Sequence, residues 1–387
     1  MNIANVDCAR RSVTITWQDR SITEYPFIWL RDSDPDAFHP DARERVFDLT
    51  DVDIDIRPQN IDLAADGLII RWPDKDRSST YSGDWLYRHR PGVPRRDPAS
   101  VGIQTWDAAS LREIPRVQAT ECERSADTLL AALGSLKRFG LLIVEGLDDA
   151  TDAGERFGDL IGFKRETNFG VTFDVVSKPE PNNLAYTSIG LPLHTDLPNQ
   201  EAVPGYQFLH SYRNDASGGE SVFADGFRIV ADMRRLRPDE YDILCRTPVP
   251  FRFRDTDADI RQHRPIISQS DNGTVCAFAF NAAIADVPDM SADVLHDFYR
   301  AYRNLMIDTR RPDYALRLSL CARQMVIFDN TRILHGRTAF DPASGDRRFR
   351  GYYIEKNEVD SRMRVLARRS ENDAPGHQEQ TKTDRGE

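Results

Sequence analysis

From about residue 205 onward, the sequence is a succession of short β-branched and aromatic runs bounded by turn-forming residues. The runs are "YQFLHSY", "SVFADGF", "TVCAFAF", "QMVIFDN" and "FRGYYIE". One helix, "SADVLHDFYRAYRNLMIDT", is predicted between them, with Ser291 as its N-cap. Strands that follow one another with few intervening helices pair mostly antiparallel. The pattern therefore predicts a mainly β sandwich or barrel and argues against a doubly wound parallel sheet.

The first ninety residues contain a separate group of short strands, and 387 residues are more than one hydrophobic core usually organises. The runs "SVTITW", "SITEYPFIWLRD", "RVFDL", "LIIRW" and "SSTYSGDWL" predict a small N-terminal β domain over residues 1–90. The following "RHRPGVPRRDP" holds three prolines in eleven positions, which neither a helix interior nor a central strand tolerates. We therefore expect a linker at 91–115, a main domain at 116–368 and a disordered, polar tail at 369–387.

The main domain is expected to begin with an amphipathic helix, "SADTLLAALGSLKRFG". Ser125 is a suitable N-cap and Gly140 a suitable stop for this helix. The next run, "LLIVEGL", has the continuous apolar character of a buried strand. The predicted order is therefore helix, buried strand and then the succession of antiparallel strands.

Charge and composition exclude several classes of function. The formal charge of −11 leaves no basic face for nucleic acid. No apolar run is long enough to cross a membrane, and the first residues lack the apolar segment of a secretion signal, so we expect a cytoplasmic protein. The five cysteines are scattered and never form a C-x-x-C pair, which favours reduced, structural thiols over disulfides or a thiolate metal site.

A histidine and an acid two positions apart occur three times, whereas roughly one such match is expected by chance. His39-Pro-Asp41 lies in the N-terminal domain and His377-Gln-Glu379 in the tail, where neither is well placed to line a cavity. Only His194-Thr-Asp196, in "GLPLHTDLPNQ", precedes the long run of strands. On an extended backbone, residues two apart point to the same face about 6.5 Å apart, so both can bind one metal ion.

A third ligand must come from a later histidine. His210 is in the middle of a strand, where a core histidine is more common than a ligand; His263 is in a polar loop and His296 on the predicted helix. His335 follows the strand "QMVIFDN" and precedes the arginine-rich "DRRFRGYY". Two imidazoles and a carboxylate form the facial triad that holds Fe(II) with three positions open. An α-keto acid can occupy two of these positions and dioxygen the third, and the far carboxylate of the keto acid suits an arginine.

Several motifs in this order resemble the Fe(II)/2-oxoglutarate dioxygenases of the taurine dioxygenase type. These are "HTD" at 194, "GGES" ending at Ser221, "FDNTRILHGR" and the region of Arg347. "WLRD", "NNLAYT", "LPLHTD", "FNAA", "LHGR" and "KNEVDSRMRVL" are similar more narrowly to the γ-butyrobetaine and trimethyllysine hydroxylase family. The resemblance covers about residues 12 to 366 and implies a double-stranded β-helix, or jelly roll, with flanking helices.

The resemblance also implies roles for single residues and a set of cofactors. His194, Asp196 and His335 become the Fe(II) ligands, Arg347 the partner of the 2-oxoglutarate C5 carboxylate and Ser221 a second contact to that co-substrate. Ascorbate would serve as the reductant in vitro, and dioxygen and a small molecule as the other substrates. Family members tend to form homodimers.

The resemblance breaks down at a zinc site in the N-terminal domain. Relatives with this site carry a cysteine cluster after "WLRD", whereas this chain has "WLRDSDPDAFHPDARERVFDL". Asp34, Asp36 and His39 do not replace soft thiolates, so no zinc is predicted. The domain is then expected to be held by packing alone, with Trp29, Phe47, Trp72 and Trp85 in its core.

A second departure concerns the substrate. The family holds a trimethylammonium group in an aromatic cage, because a cation without N–H groups is best stabilised by ring faces. The implied substrate-binding positions are Phe169, Phe173, Asn183, Tyr186, Leu197 and Asn281. Leu197 stands where a tyrosine is expected, and Ala282 replaces an asparagine that helps to hold the substrate carboxylate. Without the resemblance, Phe169 and Phe173 would equally suit core packing, with both rings on one face of a strand.

The sequence leaves several functions open. The first is hydroxylation of a small trimethylammonium zwitterion of the γ-butyrobetaine type, and the second is hydroxylation of an aminophosphonate such as 2-trimethylaminoethylphosphonate or 2-aminoethylphosphonate. A metal-dependent hydrolase or cupin-type enzyme could use the same three ligands but would not need Arg347. A catalytically silent binder on a jelly roll is the remaining alternative, and succinate release that depends on added iron would exclude it.

Overall fold

The computed structural model describes residues 1–176 and 184–373. The chain forms two compact units, Met1–Asp97 and Pro98–Glu387. The division falls inside the segment 91–115 that the sequence analysis expects to be a linker. No helix in the described ranges is long and apolar enough to cross a membrane.

The N-terminal unit contains two small antiparallel sheets and two short helices. The first sheet has the order β1-β2-β3 and the second the order β4-β5-β6. Inward-facing residues alternate along β2 and β5 and bury the indoles of Trp17 and Trp72. The elements are β1 (Ile3–Cys8), β2 (Ser12–Trp17), β3 (Ile22–Pro26), α1 (Phe27–Asp32), β4 (Asn60–Ala64), β5 (Gly67–Arg71), β6 (Ser79–Ser82) and α2 (Gly83–Arg88).

Two of the predicted strands in this unit are wrong. The run "FIWLRD" continues β3 in the sequence prediction, but it forms helix α1 and buries Phe27 and Leu30 on one helical face. The run "RVFDL" contributes only an isolated bridge between Phe38 and Arg45. Local β propensity predicted the wrong structure in both places, because burial in the tertiary structure overrides it. Burial of a helical face makes "FIWLRD" a helix, and "RVFDL" lacks the burial that would make it a strand.

The sequence analysis expects packing alone to stabilise this unit, but a network of ion pairs is present as well. The Lys75 ammonium lies 2.8 Å from Asp34 Oδ2 and 2.9 Å from Asp36 Oδ2. Asp34 is fully buried and also accepts a hydrogen bond from the Ser79 hydroxyl. Arg31 stands 3.9 Å from the same carboxylate and is paired with Asp74 at 2.6 Å. The residues after "WLRD" are therefore tied to the β5–β6 connection by a side-chain cation.

Replacing Lys75 by methionine is expected to destabilise the unit by about 2–4 kcal/mol, because it leaves the buried Asp34 carboxylate without its nearest cation. Four of the five tryptophans lie in this unit, so tryptophan fluorescence during urea unfolding reports on it. Adding Asp34→Asn to the Lys75→Met variant should recover part of the loss, because no buried charge then remains unpaired. A Lys75→Met variant as stable as the parent would show that the network contributes nothing.

The C-terminal unit is built on a seven-stranded and a four-stranded sheet. The larger sheet has the order β10-β21-β12-β19-β8-β7, with β9 also paired to β21, and the smaller has the order β11-β20-β13-β18. Two hairpins, β14-β15 and β16-β17, stand apart. The strands are β7 (Arg116–Gln118), β8 (Leu141–Glu145), β9 (Lys164–Arg165), β10 (Thr172–Val175), β11 (Leu191–His194), β12 (Tyr206–Asn214), β13 (Ser221–Asp225), β14 (Val249–Arg254), β15 (Asp259–Arg264), β16 (Ile267–Gln269), β17 (Val275–Phe278), β18 (Leu316–Leu318), β19 (Gln324–Asp329), β20 (Ile333–Arg337) and β21 (Arg347–Ile354).

The two sheets pack face to face, which confirms the predicted jelly roll. Phe223 of the small sheet contacts Phe328 of the large one at 5.4 Å between ring centroids. Both belong to a buried cluster with Ile143, Val326 and Ile333 from the two sheets. Among the residues of this unit that the structure describes, all strand pairs are antiparallel except β7 with β8. The predicted mainly β, antiparallel architecture is correct.

Helices cover the outer faces of the sheets. Helix α4 begins after Ser125, whose hydroxyl accepts from the Thr128 N–H, and ends at Gly140 with φ of 73°, as predicted. Helix α8 follows Ser291, also as predicted. The helices of this unit are α3 (Ala119–Arg124), α4 (Ala126–Phe139), α5 (Ala153–Asp159), α6 (Gly226–Leu236), α7 (Pro238–Arg246), α8 (Ala292–Asp308) and α9 (Lys356–Asp373).

The expectation of a single helix among the later strands is wrong, because α6 and α7 also lie there. Asp225 caps α6 by accepting the Phe227 N–H, and Pro238 begins α7. Both helices bury an apolar face, including Ile229, Val230 and Leu244, in a cluster with α8. Helix α9 also reaches Asp373, so the predicted start of the tail at 369 falls inside it; residues 374–387 lie outside the described residues.

Candidate active site

Three of the predicted metal-binding side chains meet at the edge of the small sheet. Strand β11 pairs with β20 so that His194 lies directly opposite His335. The ligand atoms of His194, Asp196 and His335 all lie within 4.8 Å of one another. Asp196 Oδ1 is 3.3 Å from His194 Nε2 and 3.5 Å from His335 Nε2. The sheet register therefore brings residues some 140 positions apart in the chain to one point.

Neighbouring groups fix the orientation of this cluster. His194 Nδ1 lies 2.8 Å from the Pro192 carbonyl oxygen, which can only accept, so Nδ1 donates to it and Nε2 is the ring nitrogen that faces Asp196. The His335 ring packs between Phe328 and His194, with ring centroids 4.6 and 4.4 Å away. The two imidazoles are thus positioned by paired strands, whereas Asp196 lies just after the end of β11.

Asp196 is clamped by two residues that the sequence analysis missed. The Asn330 side chain accepts the Asp196 N–H at 2.7 Å and donates to the Asp196 carbonyl at 2.9 Å. The Tyr353 hydroxyl donates to Asp196 Oδ2 at 2.8 Å. Because Oδ2 is engaged in this way, Oδ1 is the oxygen that faces the two imidazoles. A sequence signal existed for Tyr353, since alternation along "RGYYIE" puts Tyr352 and Tyr353 on opposite faces.

The electrostatics of the cluster favour an ionised carboxylate beside a neutral imidazole. Burial opposes the charged form of Asp196, but the His335 and His194 side chains hold the pKa of its carboxyl well below the ordinary value. Burial lowers the pKa of His335, whereas at His194 burial is outweighed by the Asp196 carboxylate, which raises the pKa. Burial and the Asp196 carboxylate raise the pKa of Tyr353, which keeps its hydroxyl a donor. One carboxylate and two imidazoles converging within 4.8 Å fit a facial divalent site of the Fe(II) type.

Arg347, at the start of β21, is a buried cation without an acidic partner in the described part of the chain. It is 7% exposed, and its guanidinium stacks on Phe349 at 4.1 Å and on Phe340 at 5.3 Å. Burial and the nearby Arg337 lower the pKa of Arg347 to about 9. Its Nε has no hydrogen-bond partner. A buried guanidinium in this state favours an anion from outside the chain.

A glycine turn adjoins this arginine, and Ser221 begins the strand that follows the turn. Gly219 has φ of 70°, and a β-carbon there would lie 2.9 Å from Arg347 Nε, so only glycine allows the guanidinium this close. Ser221 is buried on β13 and lies two positions from Phe223, the partner of His335. Two strand positions span about 7 Å, a distance that a five-carbon dicarboxylate can bridge. Neither Arg347 nor Ser221 lines the large cavity described next.

A cavity of about 550 Å³ opens beside His194 and Asp196. Its lining combines aromatic and aliphatic side chains with a few polar groups. All the predicted substrate-binding residues within the described ranges line it, namely Phe169, Phe173, Tyr186, Leu197 and Asn281, together with Ala282 and Tyr353. Asn183 lies outside the described residues.

Phe169 and Phe173 do not lie together on one face of a strand, which was the arrangement considered for core packing in the sequence analysis. Phe173 lies on β10 and contacts the Tyr353 ring at 5.5 Å, over Gly351, where a β-carbon would be only 2.5 Å from the Phe173 ring. Phe169 lies before the strand and packs edge-on against Phe253 at 5.2 Å. Both rings are half-buried, so they do not belong to a sealed core. Position 197, where the family resemblance implies a tyrosine, is a leucine in this chain. Tyr353 supplies an aromatic face to the cavity instead.

Two other predicted residues have backbone roles. Leu197 is buried and adopts a left-handed conformation with φ of 56°, at the turn closed by the Gln200 N–H. Asn281 Nδ2 donates to the Thr195 carbonyl at 3.3 Å, and its Oδ1 accepts from the Ala283 N–H at 3.1 Å. The amide of Asn281 is thus engaged in holding its own turn against the metal-binding segment.

The remaining histidine candidates are not part of the cluster. His210 is buried on β12, where burial and Arg350 lower its pKa to about 4. His263 is exposed and pairs with Asp289 at 2.9 Å, and His296 is exposed on α8. The structure therefore brings His335, and none of these three, to the 194/196 pair.

Comparison with known sequences identifies both units. Residues 103–353 match the family described as taurine catabolism dioxygenase TauD, TfdA family, and residues 5–87 match the gamma-butyrobetaine hydroxylase-like N-terminal family. A gamma-butyrobetaine dioxygenase of Pseudomonas sp. (strain AK-1) is 38% identical over 92% of this chain and 94% of its own.

More distant relatives agree in length and name. The gamma-butyrobetaine dioxygenase of Homo sapiens is 28% identical over 92% of this chain and 95% of its own, and the mitochondrial trimethyllysine dioxygenase of Homo sapiens is 25% identical over 92% and 89%. Among solved structures, an asparagine oxygenase in complex with Fe(II), 2S,3S-3-hydroxyasparagine and succinate aligns at 18% identity and a TM-score of 0.48, over 59% of this chain and 80% of that one. By its two family matches and these sequence relatives, the chain belongs to the TauD/TfdA family of Fe(II)- and 2-oxoglutarate-dependent dioxygenases, in its γ-butyrobetaine hydroxylase-like branch.

Proposed function

We propose that this protein hydroxylates a C–H bond of a small trimethylammonium zwitterion of the γ-butyrobetaine type. The observation that carries the proposal is the cluster of His194, Asp196 and His335 beside a cavity lined by aromatic rings. The 38% identical relative that spans nearly the whole chain is named for the same reaction type. Small-molecule oxidation needs this combination of an open metal face and a shaped, largely apolar cavity.

In this proposal His194, Asp196 and His335 hold Fe(II). When bound, the iron couples the decarboxylation of 2-oxoglutarate to succinate with the insertion of one oxygen atom of O₂ into the substrate. The chain positions the groups around it. Tyr353 occupies Asp196 Oδ2, so the carboxylate presents a single oxygen, and Asn330 fixes the backbone of the same residue. No acid or base of the protein is required.

Arg347 is proposed to bind the C5 carboxylate of 2-oxoglutarate, with Ser221 as a second contact. The support is the buried guanidinium without an acidic partner in the described ranges, and its Nε, which lies against Gly219 without a hydrogen-bond partner. A guanidinium can grip a carboxylate through two parallel N–H groups, which also fixes the orientation of the co-substrate.

The trimethylammonium group is proposed to lie among Phe169, Phe173, Tyr186 and Tyr353, with Leu197 closing one side. Each ring face that contacts a desolvated quaternary ammonium contributes roughly 0.5–2 kcal/mol. The Phe173–Tyr353 contact shows that two of these rings already stand together. Asn183 stays a proposal from the sequence alone.

An aminophosphonate hydroxylase is the second candidate, and one observation favours it. Ala282 has no amide where the family resemblance implies an asparagine, and the Asn281 amide makes two hydrogen bonds to the backbone, so other groups must hold the acidic end of the substrate. A phosphonate, with its higher charge, would suit a pocket that grips the anion by other means.

Further features of the sequence analysis remain proposals. We propose a linker over 91–115, a small domain without zinc, a homodimer and a cytoplasmic location. The scattered cysteines and the absence of a spanning helix in the described ranges are compatible with the last of these. Size-exclusion chromatography with light scattering measures the oligomeric state directly.

The proposed function is tested by incubating the protein with Fe(II), ascorbate and 2-oxoglutarate and reading succinate. The panel contains trimethylammonium carboxylates, their phosphonate analogues and the corresponding primary amines, with a chelator-treated sample as control. We expect iron-dependent succinate release that a trimethylammonium zwitterion stimulates well above the uncoupled background. If no compound stimulates turnover, the cage assignment is wrong, whereas iron-dependent background release would leave the metal ligands standing.

A further inference from the structure

The cavity carries an uneven distribution of charge away from the metal-binding residues. Three arginines line it, on β14 and just after α8: Arg252, Arg254 and Arg310. Arg252 is compensated, since its guanidinium makes two contacts of 2.8 Å with the Asp259 carboxylate and lies 3.5 Å from Asp286. The acids that line the cavity are Asp196, at the metal-binding cluster, and Asp286, beside Arg252.

Arg254 and Arg310 differ from Arg252 in having no acidic partner in the described ranges of the chain. Both side chains are exposed, so they are hydrated cations rather than buried ones. The cavity wall therefore presents two positive charges that no acid in the described part of the chain compensates and that can bind an anion. The aromatic rings near Asp196 line another part of the cavity and can bind a cation. This distribution fits a zwitterion that lies with its cationic end toward the rings.

Backbone contacts hold the start of β14 against the segment that follows Ala282. The Arg252 N–H donates to the Ile284 carbonyl at 2.9 Å, and Phe251 forms an isolated antiparallel bridge with Ala285. Arg254 and Ala282 both line the cavity. Arg254 thus faces the same cavity as the position where the family resemblance implies an amide that holds an acidic group.

The amide of Asn281 is a weaker donor to an anion than the arginines. Asn281 donates one Nδ2 hydrogen to the Thr195 carbonyl and accepts from the Ala283 N–H, so a single neutral N–H remains for a ligand. An anion placed near Ala282 would therefore find its strongest donors in Arg254 and, from the end of α8, in Arg310.

We infer that Arg254, assisted by Arg310, binds the acidic group of the substrate and replaces the amide lost at position 282. This inference rests on the proposed function and names the residues that select an anionic tail. The guanidinium binds carboxylate and phosphonate through the same paired N–H groups, so the shared chemistry is an oxyanion at the end of a trimethylammonium chain. The arginines set specificity and affinity and leave the reacting atoms to the metal centre.

The test compares Arg254→Gln with the parent for three compounds: γ-butyrobetaine, 2-trimethylaminoethylphosphonate and butyltrimethylammonium, which has no acidic group. For the better of the two zwitterions we expect KM to rise about 10- to 100-fold with kcat within about twofold. The KM of butyltrimethylammonium and that of 2-oxoglutarate should not change. Comparing the parent's kcat/KM for γ-butyrobetaine and for 2-trimethylaminoethylphosphonate shows whether a carboxylate or a phosphonate is the preferred acidic group.

Binding without turnover provides a second readout. Isothermal titration of the zwitterion into protein loaded with Mn(II) and 2-oxoglutarate, without dioxygen, should show the same loss of affinity in Arg254→Gln. Adding Ala282→Asn to this variant should restore part of it, because an amide then stands near the anion. Arg303→Gln is the matched control, since Arg303 is an exposed arginine of α8 that does not line the cavity.

The outcomes separate the inference from the proposed function. If the parent turns over a zwitterion and Arg254→Gln binds it equally well, the arginine assignment is wrong while the function stands. If Arg254→Gln loses affinity equally for butyltrimethylammonium, the arginine shapes the cavity and does not recognise the acid. If the parent turns over no trimethylammonium compound, the proposed function fails and this assignment fails with it.

Discussion

Replacing Asp196 by alanine should reduce substrate-dependent succinate formation by at least about 1,000-fold. The variant removes the only carboxylate of the cluster, and two neutral imidazoles alone bind Fe(II) weakly. The fold should persist, because Asn330 holds the backbone of residue 196 through its N–H and carbonyl groups, which alanine retains. Anaerobic equilibrium dialysis should show the loss of the single bound Fe(II) per chain.

The matched control is Asp289→Ala. Asp289 also pairs with a histidine, His263 at 2.9 Å, but both are exposed and lie outside the cavity. This variant should keep the parent's activity and iron content. An Asp196→Ala protein that is folded and retains more than a few per cent of the parent's iron binding would contradict the assignment of this carboxylate as a ligand.

Replacing Arg347 by glutamine should raise the KM for 2-oxoglutarate about 100-fold. The substitution removes a buried, charge-assisted contact and leaves the C5 carboxylate without a cation. The KM of Arg347→Lys for 2-oxoglutarate should lie between those of the parent and of Arg347→Gln, because a lysine keeps the charge but not the two-pronged geometry. Iron affinity measured without co-substrate should not change, which separates the co-substrate site from the metal site. Steady-state kinetics at saturating zwitterion measure the effect.

Arg348→Gln is the control for this variant, since Arg348 is the adjacent strand residue, is exposed and pairs with Asp346. The same experiment decides against the rival enzyme class. A metal-dependent hydrolase or cupin-type enzyme has no use for a buried arginine at 347, so full activity in Arg347→Gln would favour it. An unchanged KM for 2-oxoglutarate would remove Arg347 from the co-substrate site.

The jelly roll and the three clustered side chains could be predicted because their signals are local or ordered. Strands bunched after residue 205 indicate antiparallel sheets, and a histidine two residues before an acid puts both on one face of a strand. His335 could be chosen among four later histidines from its place after the "QMVIFDN" strand. The sheet register that pairs His194 with His335 is the physical link that the sequence only implied.

Other features depend on tertiary contacts that carry no local pattern. Lys75 reaches Asp34 across forty residues, and no spacing rule connects an ammonium to a buried carboxylate at that distance. Arg254 and Ala282 line one cavity because the start of β14 contacts the irregular segment after Ala282, a contact without a sequence pattern. For Tyr353 the alternation along its strand is a local signal, but only the fold shows which face of that strand is turned toward Asp196. Helices α6 and α7, by contrast, do carry local signals that the sequence analysis did not use, namely Asp225 as an N-cap and Pro238 at the first helical position.

The central claim is that one divalent ion is held by His194, Asp196 and His335, with Arg347 binding the co-substrate. A crystal structure of the protein with Mn(II) and 2-oxoglutarate, grown without substrate, tests it most directly. The account predicts one metal ion at roughly 2.0–2.3 Å from both imidazoles and the carboxylate, as is usual for first-row divalent ions, and the C5 carboxylate paired with the Arg347 guanidinium. A metal ion bound elsewhere, or a His335 ring turned away from an occupied 194/196 pair, would contradict it.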